Sequence, residues 1–475
     1  MLDWQQLVPD GSFRDPRLRH RAVALLEGIY RSPGEAFASV FRLRKDVKAA
    51  YRFCENPAVS FATLLTPTFL ALGRALRELG DQTILCLHDT TELELSRLEM
   101  EGLGEVGNPG CQGLLLHSGL AVSTSGLPLG LLAASTWVRD PAEHGKRDAR
   151  HNRPFDEKES ARWWWAIEFS ERMVASLRRL LHVADREADI FDVMARCAAA
   201  SYRFLFRAAQ DRLLADAVHR QLWACAESWR VRLVKEVEIP MRPARAGRPA
   251  RKARTALLAI RFGAVDIEQY RKPGMLPVWA VLAREENPPD GEEPIEWLLL
   301  TNDPINTAEE ALLRVQWYRL RWRIEDYHKC FKSVCEAESR QFEEREHFEI
   351  FLAMCLLVSC RLLYLRDLAR EAPDTPALAI LTEEEQEVLV AESRKNGKRV
   401  PPGGKLTVRD AVRLLAMLGG FLGRKNDGEP GFQTLAHGYL KFWLIVEGWR
   451  LARGLPSRDH FAFLASRPIP TAGTS

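Results

Sequence analysis

The sequence contains no uninterrupted apolar run approaching the roughly 18 to 20 residues that span a bilayer. Its start, Met1 to Asp10, lacks the basic region and following apolar stretch of an export signal. Both absences predict a cytoplasmic protein with no membrane partner. Also missing is any C-x-x-C pair. The nine cysteines, an odd number scattered from Cys54 to Cys360, show neither a disulfide framework nor the spacing of a zinc site, and read as reduced and structural. There is no G-x-x-x-x-G-K-S/T loop, so nucleotide hydrolysis is not indicated, and nothing repeats internally. Nor is there much excess charge: 67 Lys and Arg face 64 Asp and Glu, for a net +3.

What is present is an ordinary globular composition, 46% hydrophobic and 28% charged with 13 Trp, far from the disordered classes. Its 475 residues allow roughly two to four domains. Charge is concentrated locally. Ser12 to Arg52 holds ten Lys or Arg against four acids, a surface that suits phosphates and equally suits a solvated helix face. Asp15-Pro16, Pro33-Gly34 and Asn56-Pro57 punctuate this stretch into short helices, predicting a helical module over residues 1–70.

The pattern then changes to strands and helices. The apolar run Thr83 to His88 predicts a strand ending at Asp89-Thr90-Thr91. Two further strands, Gly113 to Ser123 and Pro128 to Val138, flank the hairpin connection Thr124-Ser125-Gly126-Leu127. A charged loop (Arg139 to Lys158), a helix from Glu159, and a short strand ending at Asp185 follow, then a helix over Asp189 to Ala199 and a strand over Tyr202 to Arg207. This order resembles the ribonuclease H-like fold, in which both aspartates would fall at neighbouring strand ends. The fold class expected is therefore α/β, with a ribonuclease H-like core over residues 71–370 between helical N- and C-terminal regions.

Residues 208–303 read mainly as strands (Arg230 to Ile239, Arg254 to Ile267, Leu276 to Arg284, Ile295 to Thr301), predicting an inserted β subdomain. Within it, Arg242 to Arg254 carries five Arg and one Lys without an acid, a phosphate-binding or merely solubilising loop. A long helix is expected from Asn306-Thr307 to beyond Lys332. Another covers Phe348 to Arg370, and the break at Glu371-Ala372-Pro373-Asp374 opens a helical C-terminal region, residues 371–475.

On an ideal helix Tyr318, Arg321, Glu325 and Lys332 share one stripe within roughly 60°, opposite Leu313, Leu320, Ile324, Tyr327 and Phe331. Any surface helix shows a polar stripe, and either aspartate alone is commonly a turn residue. Three such signals in compatible order weigh more together.

Tyr318-x-x-Arg321-x-x-x-Glu325-x-x-x-x-x-x-Lys332 resembles the Y-R-E-K signature of bacterial insertion-sequence transposases of the DDE type. The sequences around Asp89 (Asp89-Thr90-Thr91) and Asp185 (Asp185-Arg186-Glu187-Ala188-Asp189) add to it, as do Trp297-Leu298-Leu299-Leu300-Thr301 and Tyr51-Arg52-Phe53. The similarity covers nearly the whole chain and is nearest the insertion-sequence-four type, the branch that excises through DNA hairpins. The resemblance implies that Asp89, Asp185 and Glu325 are catalytic and hold two Mg²⁺ ions, with Mn²⁺ able to substitute. It implies DNA contacts from Tyr318, Arg321, Lys332 and Arg207, with Trp297 stacking on an extruded base; a core role for Trp297 beside Leu298 to Leu300 stays open. Glu187 and Asp189 read as favouring the next helix rather than binding metal.

It also implies binding of terminal inverted repeats and target DNA, a homodimeric synaptic complex, and a bacterial, nucleoid-associated setting. A non-cutting DNA-binding regulator and a stand-alone Mg²⁺-dependent nuclease are the rival readings. One departure stands out: Val334 occupies a position where the family often has glycine.

Overall fold

The computed structural model describes residues 3–41, 43–108, 110–139, 153–176, 179–216, 218–239, 241, 250–269, 274–424 and 427–455. Five helices open the chain: α1 (Trp4–Leu7), α2 (Pro16–Arg31), α3 (Phe37–Val40), α4 (Arg44–Cys54) and α5 (Phe61–Glu78). Local chemistry sets their starts. Asp15 accepts from the Arg17 N–H with Pro16 at the first helical position, and Ser60 and Thr63 form a capping box for α5.

One ten-stranded sheet forms the centre: β1 (Ile84–Glu94), β2 (Gly104–Glu105), β3 (Gln112–Ser123), β4 (Pro128–Trp137), β5 (Leu180–Ala184), β6 (Arg203–Arg207), β7 (Leu233–Ile239), β8 (Arg254–Glu268), β9 (Met275–Glu285) and β10 (Glu296–Thr301). The spatial order is β2-β3-β1-β5-β6-β10-β9-β8-β7, with β4 also on β3. β1, β5 and β6 run parallel, while β3 is antiparallel to both β1 and β4. Helices α6 (Ala161–Val174), α7 (Phe191–Ala199) and α8 (Leu222–Ser228) lie between the strands in sequence.

The inserted strands do not make a separate sheet among the described residues. β10 pairs antiparallel with β6 and carries β9, β8 and β7 outward as a continuation of the same sheet. The reason lies in β10 itself. Leu298 and Leu300 enter one apolar cluster and Leu299 the opposite one, so the strand is covered on both faces, as an unbroken apolar run requires.

The long helix expected from Asn306 is broken into α9 (Ala308–Arg319) and α10 (Trp322–Ser333). At the junction the N–H groups of Leu320, Arg321, Arg323 and Ile324 all bond to the carbonyl three residues back, a tight 3₁₀ step. The stripe is therefore not a solvent-facing one: Tyr318 and Arg321 are buried, and Glu325 and Lys332 half-buried.

Helix α11 (Arg345–Glu371) is buried along most of its length, with Phe348 to Cys360 almost wholly apolar. By length and composition it could cross a membrane, with a hydropathy of 2.0 in its most apolar stretch, but 83% of that stretch is buried inside the protein, which makes it a core helix. Helices α12 (Glu383–Lys395), α13 (Val408–Leu418) and α14 (Phe432–Ala452) pack with it. The two terminal helical regions share one apolar cluster, and Tyr30 of α2 meets Tyr439 of α14 at a ring-centroid distance of 5.1 Å. Most of the basic loop expected at Arg242 to Arg254, and residues 140–152 of the charged loop, lie outside the described residues. Arg254 itself begins β8 and ion-pairs with Glu285 and Glu292.

Candidate active site

Asp89 lies inside β1 rather than at its end. The parallel pairing of β1 with β5 stops at Leu87 opposite Val183, while pairing with β3 continues to Glu94. Asp89 thus sits where two parallel strands separate, beside Asp185, which directly follows β5. Thr90 and Thr91 extend the strand because β-branched residues suit it. Asp185 does serve as a turn residue, its Oδ1 accepting the Glu187 N–H at 3.0 Å, and the same cap orients it beside Asp89.

Helix α10 closes the site from the other side. Glu325 accepts from Arg321 Nη2 at 2.5 Å, an i,i+4 pair with Arg321 8% exposed. The electrostatics show that these groups converge. Burial pushes the Asp89 carboxyl up to about 7; Arg321 pulls it down, and Asp185, Glu187 and Glu325 push it further up. Burial opposes the Arg321 charge, but Tyr318, Glu325 and Asp185 outweigh it. Glu325 is thus in contact with the Arg321 guanidinium, and Asp89, Asp185 and Glu187 lie within its electrostatic reach. Such a donor set of hard oxygens fits a divalent cation, which would offset the burial penalty and the carboxylate repulsion that Arg321 only partly balances at Asp89.

Arg207, Trp297 and Tyr318 form an adjoining wall. Arg207 donates to the Glu296 carbonyl at 2.8 Å and lowers the pKa of the buried Tyr318 hydroxyl against the upward push of burial, while the Trp297 and Tyr318 rings stand 6.0 Å apart. Trp297 is half-buried against two apolar clusters, leaving part of the indole accessible. Two polar atoms in this region, Arg321 Nε and His328 Nε2, are buried without a partner among the described residues. Buried donors are almost always satisfied, so both are free for a bound ligand.

Lys332 stands apart from the acids. Its Nζ donates to the Glu92 carbonyl and lies 3.6 Å from Glu338, tying α10 to β1. Val334 has φ −102° and ψ −48°, which need no glycine. The Val334 carbonyl is approached by protein: a Cβ at Gly34, where φ is +84°, would stand 2.8 Å from it, so the N-terminal helices dock here.

Two residues escape the motif reading. His328 Nδ1 lies 3.6 Å from Asp89 Oδ2, and burial drives the imidazole down to about 3; its signal is the spacing Glu325-x-x-His328, one helical turn. Glu187 joins the acidic group, its pKa raised by burial and then by Asp185 and Glu92. Glu187 lies in the first turn of the 3₁₀ helix Arg186–Ala188, whereas the expectation that Asp189 serves the next helix is replaced. Buried Asp189 instead clamps Arg212 at 2.5 Å and the N–H groups of Ala209 and Gln210.

Three stretches of the chain match known families: residues 4–59 match a transposase DNA-binding family, 180–361 a transposase DDE domain, and 357–458 a transposase Tn5 dimerisation domain. The DDE match contains Asp185 and Glu325; Asp89 precedes it. Among solved structures, the chain is similar to a piggyBac transposase in a synaptic complex with hairpin DNA, at 8% identity and a TM-score of 0.35, covering 99% of this chain and 76% of that one.

Proposed function

We propose, from the premise that this chain is a transposase of the DDE class with DNA-binding, catalytic and dimerisation domains, that it moves a mobile element by Mg²⁺-dependent cleavage, hairpin formation and strand transfer. The class is one of DNA-cleaving, strand-transferring enzymes that need a divalent metal. The observation that carries the finer reading is that Asp89 and Asp185 lie where β1 and β5 separate, with Glu325 paired to the Arg321 that both aspartates feel. Strand order β4-β3-β1-β5-β6, with β1, β5 and β6 parallel, supports a ribonuclease H-like core, and the Tyr318, Arg321, Glu325 and Lys332 spacing supports the insertion-sequence-four type.

Asp89, Asp185 and Glu325 would hold the metal, whose chemistry when bound is activation of water or a 3′-hydroxyl and stabilisation of the leaving oxygen. The chain's own residues do the positioning. Arg321 keeps Glu325 aimed at the two aspartates and has Nε free for a phosphate oxygen. Arg207 and Tyr318 back the accessible face of Trp297, on which an extruded base would stack for about 1 to 3 kcal/mol. Trp297→Ala is expected to slow hairpin formation about tenfold or more while first-strand nicking stays within about twofold; equal loss of both steps would assign Trp297 to the core instead. Lys332 holds α10 against β1, so its DNA contact, if made, requires release of Glu338.

End binding falls to the N-terminal helices. On α4, Arg44, Lys45, Lys48 and Arg52 are exposed and have no ion pair with any described residue, and Tyr51 beside them is 42% exposed. Arg17, Arg21 and Arg31 are instead paired within the module. Replacing the four α4 cations by alanine is expected to flatten the dependence of log affinity on log salt by about 3 to 4, since each phosphate contact contributes about 0.9. A titration series from low to physiological salt reads this, and an unchanged slope would move the DNA face elsewhere. The C-terminal region, residues 371–475, would join two copies as a homodimer across paired ends.

Paired candidate terminal repeats incubated with the full chain, with Mg²⁺ or with chelator, test the function. Mg²⁺-dependent nicking, hairpins and joined products are expected. Binding without cleavage would make it a regulator, and cleavage without joining a stand-alone nuclease.

A further inference from the structure

We propose that the chain holds a structural zinc ion inside its sheet, bound by Cys86, His88 and His182 and separate from the carboxylate site. Cys86 and His88 alternate on β1 and so share one face, and His182 is the register partner of Cys86 on β5. One ligand atom from each of the three lies within 4.8 Å of the other two, and all three residues are fully buried beneath α6.

The surroundings are those of a metal centre's outer shell. His88 Nε2 and His182 Nδ1 face each other at 2.9 Å, and each ring's other nitrogen is already engaged. His182 Nε2 meets Glu171 Oε1 at 3.1 Å; His88 Nδ1 meets His117 Nε2 at 3.3 Å, and His117 Nδ1 meets Thr90 Oγ1 at 2.9 Å. If the outer nitrogens donate, to Glu171 on one side and through His117 to Thr90 on the other, both inner nitrogens present lone pairs to one point. A carboxylate behind a ligating histidine is the usual way to fix such a tautomer.

Charge argues the same way. Glu171 is buried, and His182 is its side-chain partner among the described residues. A divalent ion with the Cys86 thiolate and the Glu171 carboxylate is electrically neutral overall. Coordination removes the thiol proton of Cys86, which leaves to solvent. Two imidazoles and a thiolate suit zinc, whose tetrahedral bond lengths place ligand atoms about 3.3 to 3.7 Å apart, so the histidine pair opens by only about half an ångström. Ser170 Oγ lies 3.7 Å from Cys86 Sγ. The ion would pin β1 to β5 directly behind the two aspartates.

The test is the metal content of the purified full-length chain after refolding with zinc and exhaustive gel filtration in chelator. About one zinc per chain is expected in the wild type and in the Asp185→Asn/Glu325→Gln double variant, with under about a tenth in Cys86→Ala. Cys197→Ala, at another buried thiol, is expected to keep its zinc, and near-ultraviolet circular dichroism verifies that each variant is folded. Cobalt substitution is expected to give a sulfur-to-metal charge-transfer band that Cys86→Ala lacks. A metal-free wild type, equal zinc in Cys86→Ala, or zinc lost with the carboxylates would each overturn the proposal; the first would leave a purely hydrogen-bonded histidine chain.

Discussion

Glu325→Gln is expected to lower cleavage at paired ends at least about 10³-fold, equivalent to about 4 kcal/mol of barrier, with end affinity unchanged within about twofold. The amide keeps the volume of the carboxylate and can still accept from Arg321 Nη2, so α10 and its junction keep their shape. What disappears is one of the three negative oxygens that a hard divalent ion needs. The Asp89 carboxyl also loses one of the neighbours that push it up, which adds nothing to metal affinity once a ligand is missing. Gel analysis of single-turnover cleavage together with a binding titration separates chemistry from recognition. Cleavage within tenfold of wild type would remove Glu325 from the metal site.

Arg321→Ala is expected to cost about 10²-fold in the same assay, or about 2.7 kcal/mol, and Arg321→Lys is expected to stay within about tenfold of the alanine variant. Arg321 is the guanidinium that Asp89, Asp185 and Glu325 all feel. Removing it frees Glu325 from its i,i+4 clamp and takes away the cation that pulls Asp89 down. Lysine restores charge but not the fork: it cannot hold Glu325 through one nitrogen while offering another to a phosphate. Raising the Mg²⁺ concentration is expected to recover only part of the loss, because the positioning function is independent of charge. Full rescue by lysine would reduce Arg321 to a counterion.

Much of this site was legible in the chain because its parts are local. Asp185 ends an apolar run before a polar turn, Thr307 and Glu310 announce the start of α9, and the runs behind β7 to β10 are bounded by turn residues. What stayed hidden depends on tertiary partners. Nothing near Leu320 and Arg321 marks the 3₁₀ step, since no proline or glycine lies there, and a continuous wheel puts Tyr318 in solvent instead of against Trp297. That β10 would join β6 is visible only as a weak hint, the lack of alternation from Trp297 to Leu300. Asp89 reads as a strand end because a polar triplet follows the apolar run, although Thr90 and Thr91 favour continuation. Cys86, His88 and His182 show no metal spacing, because the third member is brought in from β5 across the sheet. Lys332 reads as a phosphate contact, and its engagement with the Glu92 carbonyl depends on a strand far away in sequence.

Asp89 bears the most weight in the account, since its place beside Asp185 rests on the splitting of β1 from β5 and it precedes the matched catalytic domain. Exchanging its carboxylate for a thiolate changes the preferred metal without emptying the position, because soft sulfur disfavours Mg²⁺ and tolerates Mn²⁺. The deciding measurement is cleavage of paired ends by Asp89→Cys in each metal. Activity absent with Mg²⁺ and regained with Mn²⁺ is the result predicted, and cleavage at the wild-type rate with Mg²⁺ would contradict the site.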